Sequence, residues 1–311
     1  MTGVALAAVA GIGFGLFQSV NRAALRGMDA YASTFLQVLV SAALLVAVSL
    51  AAGDPGRLAA APAPAWWWFA AAGLVHFSVG WTLLNLSQQR LGAARTSPLL
   101  ATVPLFGVVI AAVTLREVPS ALELAGVALM VGGVSAMEVE RARAPRAGAT
   151  GGWRNAGGTG SRRFRPAVVW TASLFGLGTA LCWAVSPIFI RQGLRDLPSP
   201  LLGVTVGVVA ATLAYGLVLP LRGRGGLRFT REALAWKLAA GVLVAVSTWA
   251  RWVSVSLVPV AVVLALGLLS VPTVMAAAPA LVGRQAERVT APVLAGSALI
   301  VAGALAIGAG S

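Results

Sequence analysis

The chain has 311 residues, of which 59% are hydrophobic and 10% charged, with a mean hydropathy of +0.88 and a net charge of +14. So little polar surface cannot solvate a soluble fold of this length, and the composition reads as an integral membrane protein. The single cysteine, Cys182, lies in an apolar segment, which excludes an intramolecular disulfide, and no residue cluster suggests a metal or other cofactor.

A helix in hydrocarbon satisfies its own backbone while ionised side chains are costly there, so charge-free apolar runs locate the spans. Ten runs fit, at approximately 3–21, 31–53, 66–88, 96–115, 120–138, 167–190, 199–221, 235–257, 260–282 and 290–309. The first charge is Arg22, so the run from Thr2 to Asn21 lacks the basic region of a secretory signal and reads as a retained helix. Pro62-Ala-Pro64 before span 3 and Val258-Pro259 between spans 8 and 9 are natural breaks. Trp66-Trp67-Trp68 reads as an interfacial belt. Span 5 reaches spanning length only by including Glu123 near an interface. Between spans 5 and 6, Val139 to Arg165 holds seven Arg, six Gly and one Glu. That composition reads as a solvated linker against anionic lipid heads, not as a nucleic-acid patch.

A repeat then becomes visible. Leu124 to Ala136 and Leu294 to Ala306 agree at 8 of 13 positions, with Glu287 falling where Glu117 falls and Pro272 where Pro104 falls. Phe14-Gly15 and Arg22-Ala-Ala-Leu25-Arg26 align with Trp183-Ala184 and Arg191-Gln-Gly-Leu194-Arg195, and Gly73 and Trp81 align with Gly241 and Trp249, at a spacing of 168 to 170 residues throughout. Each copy holds five spans, an odd number, so the second copy threads the membrane in the opposite sense. The expected fold is an all-α integral membrane protein of ten transmembrane helices in two inverted five-helix repeats, 1–138 and 167–311, joined by the linker at 139–166.

Trp183-Ala-Val-Ser-Pro-Ile-Phe-Ile-Arg191, with the blocks Pro104-Leu105-Phe106, Leu115-Arg116-Glu117, Leu124-Ala-Gly126 and Gly133, resembles the EamA-type members of the drug/metabolite transporter superfamily. The resemblance covers nearly the whole chain except the linker. It implies ten helices, alternating access and transport of small metabolites, and leaves the substrate open. It also implies both termini in the cytoplasm of a plasma or inner membrane. The charge pattern argues the reverse: loops on one side carry 18 of the 23 basic residues and those on the other four, with Arg251 the one inside a span. The nine carboxylates, Asp29, Asp54, Glu117, Glu123, Glu138, Glu140, Asp196, Glu232 and Glu287, all fall at or near expected helix ends. A proton exchange through a buried mid-membrane Glu, as in small multidrug members of the superfamily, is therefore disfavoured.

What does sit deep is His76 in span 3 and Arg251 in span 8. A charged Arg at a helix centre costs ~3 kcal/mol and usually faces the bundle interior. Arg251 reads either as a fork for a substrate carboxylate or as a side chain that snorkels or pairs with a backbone carbonyl. His76 reads either as a proton-coupling site or as a neutral structural histidine. Gln18, Trp81, Asn85, Trp183, Ser186, Tyr215 and Trp249 complete the candidate substrate-binding set. At ~100° per residue His76, Trp81 and Asn85 share a broad sector, whereas Trp249 and Arg251 are expected to diverge. Pro104 and Pro272 are candidate gating residues, and Gly126, Gly132, Gly133, Gly296 and Gly303 are expected to pack helices closely at the interface of the halves or of a dimer. Arg22, Arg26, Arg191 and Arg195 read as anchors at span ends, and Glu117 and Glu287 as joints.

No catalytic constellation is present, so an enzyme is not expected. The sequence points to a secondary transporter of small organic metabolites, amino-acid-like or carboxylated, partnered by substrate and bilayer and not by nucleic acid. Coupling to protons or another ion and a monomer or homodimer state stay open. The alternative is a channel or non-transporting scaffold.

Overall fold

The computed structural model describes residues 1–52, 55–115, 120–143, 166–221, 229–283 and 289–310. The joints at Glu117 and Glu287, Asp54 and most of the basic linker lie outside these residues. Every named element among them is helical. In chain order they are α1 Thr2–Ala24, α2 Ala30–Ala51, α3 Pro55–Ala59, α4 Ala63–Gly73, a π-helical segment Leu74–Gly80, α5 Trp81–Leu91, α6 Ala93–Leu100, α7 Val103–Leu115, α8 Ala121–Arg143, α9 Pro166–Asp196, α10 Pro200–Leu221, α11 Arg231–Leu257, α12 Val260–Gly267, α13 Ser270–Val282 and α14 Ala291–Gly310.

Among the described residues, six stretches are long and apolar enough to cross a bilayer: α1, α2, the continuous run Ala63–Leu91, Trp170–Asp196, Pro200–Pro220 and α11. Their polarity is inverted relative to a soluble protein. Along α11, Leu238, Val242, Val246 and Trp249 point outward, while Lys237, Thr248, Arg251 and Ser254 are buried. Lipid is as apolar as leucine, so this arrangement keeps dipoles in the bundle and hydrocarbon outside.

Two of the expected spans are interrupted. The run 93–115 breaks at Ala101-Thr102 and the run 260–282 at Leu268-Leu269. The cause is proline three residues on: Pro104 and Pro272 lack an N–H and their rings crowd the carbonyl four residues back, at Leu100 and Leu268. At the first break the Thr102 hydroxyl donates to the neighbouring Leu99 carbonyl at 2.7 Å. Pro104 is buried and Pro272 exposed. Helix starts are set by side chains elsewhere: Asp29 accepts from the Tyr31 and Ala32 amides to open α2, and Thr230 accepts from Ala233 to open α11.

The core is built on α1, which packs against α11 and the broken pair α12–α13, while α9 packs against α4, α5 and the broken pair α6–α7. Helices α2 and α10 lie together, as do α8 and α14. In the last pair the glycines meet reciprocally. A methyl built on Gly133 would stand 2.6 Å from the Gly296 carbonyl oxygen, and one on Gly303 would stand 2.4 Å from that of Gly126. Gly132, next in sequence, faces open space.

This contrast sets a test. Gly133→Leu forces α8 from α14 and is expected to cost about 1–3 kcal/mol. Gly132→Leu, made in the same helix but outside the contact, should leave the thermal midpoint unchanged or slightly raised. Unfolding curves of the two variants in detergent check it.

Candidate functional site

The site is organised by the π-helical segment. His76 lies in it and Trp81 follows it by one residue. The wider winding, in which each N–H bonds five residues back, brings residues five apart onto one face. The two rings stand 6.3 Å apart, and the His76 ring stacks on Trp183 of α9 at 5.3 Å and 14°. His76 Nδ1 is 2.8 Å from the Ser186 hydroxyl, one turn further along α9. From α1, Phe14 meets Trp183 and Phe17 meets Trp81, each at 6.1 Å.

Arg251 approaches from α11. Its terminal nitrogen donates to the Trp183 carbonyl at 3.4 Å. That carbonyl is available for a local reason. It lies four residues before Pro187, whose ring nitrogen cannot supply the helical N–H that would otherwise cap it. The result is a cation resting on a proline-freed dipole at a long hydrogen-bond distance.

Around this contact several buried polar atoms lack a hydrogen-bond partner, Arg251 Nε, Trp183 Nε1, Trp81 Nε1 and His76 Nε2, and Gln18 Nε2 on α1 is likewise open. Four of these are N–H donors by chemistry and the fifth belongs to an imidazole of either tautomer. Buried polar groups are nearly always satisfied, so a cluster of open donors marks a place for an acceptor.

Beside it lies a second polar cluster that the sequence reading does not assemble. Lys237 of α11 is fully buried, and its ammonium donates to the amide oxygens of Asn21 on α1 and Gln37 on α2. Asn21 Nδ2 donates in turn to Asn85 and Gln88, both at 2.8 Å, and Asn85 Nδ2 donates to Thr34 at 2.8 Å. Gln88 makes a long contact of 3.5 Å to Gln18, joining the two clusters. A close approach of α11 to α2 brings Lys237 into place: a methyl on Gly241 would stand 2.6 Å from Val40.

The charge count assigns Lys237 to the loop side of span 8; the structure buries it inside α11 instead. One signal in the sequence marks it. Lys237 is the only lysine among the 23 basic residues, the other 22 being arginine. At ~1.5 Å and ~100° per residue, the fourteen residues to Arg251 amount to ~21 Å along the helix and a face shared to within ~40°.

Of the sequence candidates, His76, Trp81, Trp183, Ser186 and Arg251 come together, while Asn85 sits in the adjoining cluster and Gln18 meets its edge at Gln88. Tyr215 of α10 instead contacts the Thr82 hydroxyl, at the edge of the group. Trp249 stands apart: it is 39% exposed on the outer face of α11, two residues and about half a turn from Arg251.

This arrangement, apolar outside and polar at the centre of long helices, defines a multi-pass helical membrane protein. Residues 1–138 match the model of the EamA-like transporter family. Over those residues, a little under half of its length, the chain is similar to this family, part of the drug/metabolite transporter superfamily, whose members are membrane transporters. Thirteen chains of solved structures are similar to it. One, described only as the crystal structure of a protein, covers 95% of this chain and 95% of its own at 18% identity with a TM-score of 0.62, a likeness of fold. No curated protein matches the sequence at a significant level.

Because Lys237 is the only lysine and is fully buried, amine chemistry can report on it alone among side chains. Brief treatment of the protein in mild detergent with an amine-reactive reagent is expected to leave the Lys237 peptide largely unmodified. The same reagent after denaturation in SDS should modify it fully, as read by peptide mass spectrometry.

Proposed function

We propose that the chain is a ten-span secondary transporter built as two inverted five-helix repeats, 1–138 and 167–311, that moves small organic solutes bearing a carboxylate by alternating access. The observation that carries the substrate class is the cluster of unpaired donors around Arg251. A carboxylate accepts at two oxygens, offers no proton to clash with N–H groups, and pairs with a guanidinium through charge-assisted bonds shorter than the 3.4 Å contact Arg251 now makes. The flanking Phe14, Phe17, Trp81 and Trp183 rings provide apolar walls for the rest of a small solute.

The inverted repeat is supported by the packing. Exchanging each span with its counterpart five spans later converts the α1–α11 contact into that of α9 with α4 and α5, and the α1 contact with α12–α13 into that of α9 with α6–α7. It maps the pairs α2–α10 and α8–α14 onto themselves. At an offset of 170, Gly126 and Gly133 correspond to Gly296 and Gly303, so the two glycine contacts are one contact seen twice. Substrate sites in inverted-repeat carriers lie at the repeat interface near the midplane. Here α1 and α5 of one half meet α9 and α11 of the other around His76 and Arg251. In the described state these side chains are buried, as expected of an occluded step. His76, hydrogen-bonded to Ser186, remains the candidate for proton coupling, and the membrane is the plasma or inner membrane.

Counterflow in proteoliposomes tests the reading. A panel of radiolabelled amino acids, oxo acids and hydroxy acids should include at least one that exchanges against an unlabelled gradient. Arg251→Ala should raise its KM by about 10- to 100-fold, the loss of one hydrogen bond to a charge. Dissipation without exchange would identify a channel, and unchanged kinetics in Arg251→Ala would remove Arg251 from the site.

A further inference from the structure

The Lys237 cluster has a direction, and the direction is dictated by valence. An ammonium has three N–H donors and no acceptor, whereas a side-chain amide donates from one end and accepts at the other. Lys237 therefore forces the oxygens of Asn21 and Gln37 toward itself. With its oxygen so committed, Asn21 turns its nitrogen to the oxygens of Asn85 and Gln88. Gln88, accepting from Asn21, turns its nitrogen to the oxygen of Gln18. The branch through Asn85 closes on Thr34, whose hydroxyl donates to the Ala30 carbonyl; the other two end with an unpaired amide nitrogen, Gln18 Nε2 and Gln37 Nε2.

We propose that Lys237 is a positioning residue that fixes the donor sense of the substrate site through this one-way chain. Gln18 lies one turn along α1 from Phe14, whose ring meets Trp183, and next in sequence to Phe17, whose ring meets Trp81, so the chain ends on the helix that walls the site. A residue that could accept at position 237 would let Asn21 turn round. Gln88 and Gln18 would follow, and the chain would then offer an oxygen. The site as built favours a group that only accepts, a carboxylate, over a carboxamide or an ammonium, which must also donate. The surroundings suit a fixed charge: the Phe17 ring lies 5.9 Å from Lys237 Nζ, and Ser33 also donates to Asn21 Oδ1, at 3.4 Å. This inference rests on the carboxylate reading above for its consequence in transport, but not for the chain itself.

Two measurements test it. In proteoliposome counterflow with radiolabelled carboxylates and their carboxamide analogues, the wild type should prefer the carboxylate. Lys237→Gln, which both donates and accepts, should lower that preference about tenfold through KM with Vmax retained. Gln88→Leu, which cuts the chain while leaving Lys237 and Asn21 in place, should do the same. An unchanged preference in Lys237→Gln overturns the proposal. The second measurement needs no substrate. In a thermal double-variant cycle of Lys237→Met and Gln18→Leu, residues joined only through the chain, the combined loss should depart from the sum by about 2 °C or more. Lys237→Gln replaces Lys237→Met in the cycle where the latter does not fold, and additive losses overturn the chain. If the wild type exchanges no carboxylate, the functional reading fails, and the cycle alone decides whether Lys237 directs Gln18.

Discussion

Neutral dipoles hold the buried cations Arg251 and Lys237 in this bundle, and the polar interior around them is arranged by that fact. Among the described residues, Arg251 meets the carbonyl oxygen of Trp183 and Lys237 the amide oxygens of Asn21 and Gln37. Removing a charge from water is expensive, and a carboxylate partner would offset more of that cost than a dipole does. A fully paired cation, however, has little attraction left for a ligand. Arg251, resting on a carbonyl that Pro187 has freed, keeps its Nε open and its one backbone contact long. Such a contact can be exchanged for a better acceptor at small cost.

The two cations differ in what surrounds them, and the difference follows from their chemistry. The planar guanidinium of Arg251 sits among aromatic faces and open N–H groups, where a fork can take two oxygens at once. The compact ammonium of Lys237 is enclosed by amides drawn from α1 and α2 and backed by α5, which joins three helices to α11. The first environment suits recognition and the second suits fixing the geometry of what recognises. Their shared face on α11 makes that helix the member through which both act.

Much of this was legible in the sequence, and what was not has a physical cause. Composition and charge-free runs located α1, α2, α9, α10 and α11 to within a few residues, because ionised groups in hydrocarbon are the costliest error a membrane helix can make. His76 and Arg251 stood out for the same reason. The opposite faces of Trp249 and Arg251 followed from helical periodicity. The interruptions at Ala101-Thr102 and Leu268-Leu269 were less visible, since proline within a membrane helix does not always break it: Pro187 and Pro279 sit inside continuous helices. Lys237 was read as a loop charge because it follows the start of its span by two residues. Thr230 begins α11 earlier and carries Lys237 inward by a turn. The amide cluster of Asn21, Gln37, Asn85 and Gln88 is assembled from three helices, and single-helix periodicity does not report contacts between them.

The glycine-rich stretch from Leu124 to Ala136 is the most conspicuous sequence feature of the chain, yet it lies away from the polar centre. Its helix α8 pairs with α14 through backbone contacts at Gly126, Gly133, Gly296 and Gly303, and its other faces carry Leu122, Leu124, Leu129 and Val131 outward. Close packing of small residues stabilises helices in lipid without any polar group. Such a pair therefore serves as a firm edge to the bundle. Motion is easier where backbone bonding is already incomplete, at the breaks before Pro104 and Pro272 and in the π-helical segment that carries His76. These irregular segments flank α1 and α9, the helices that bring Phe14 against Trp183, Phe17 against Trp81 and Ser186 against His76. The regular helices thus fix the cations, and the irregular ones border the space in which a solute would meet them.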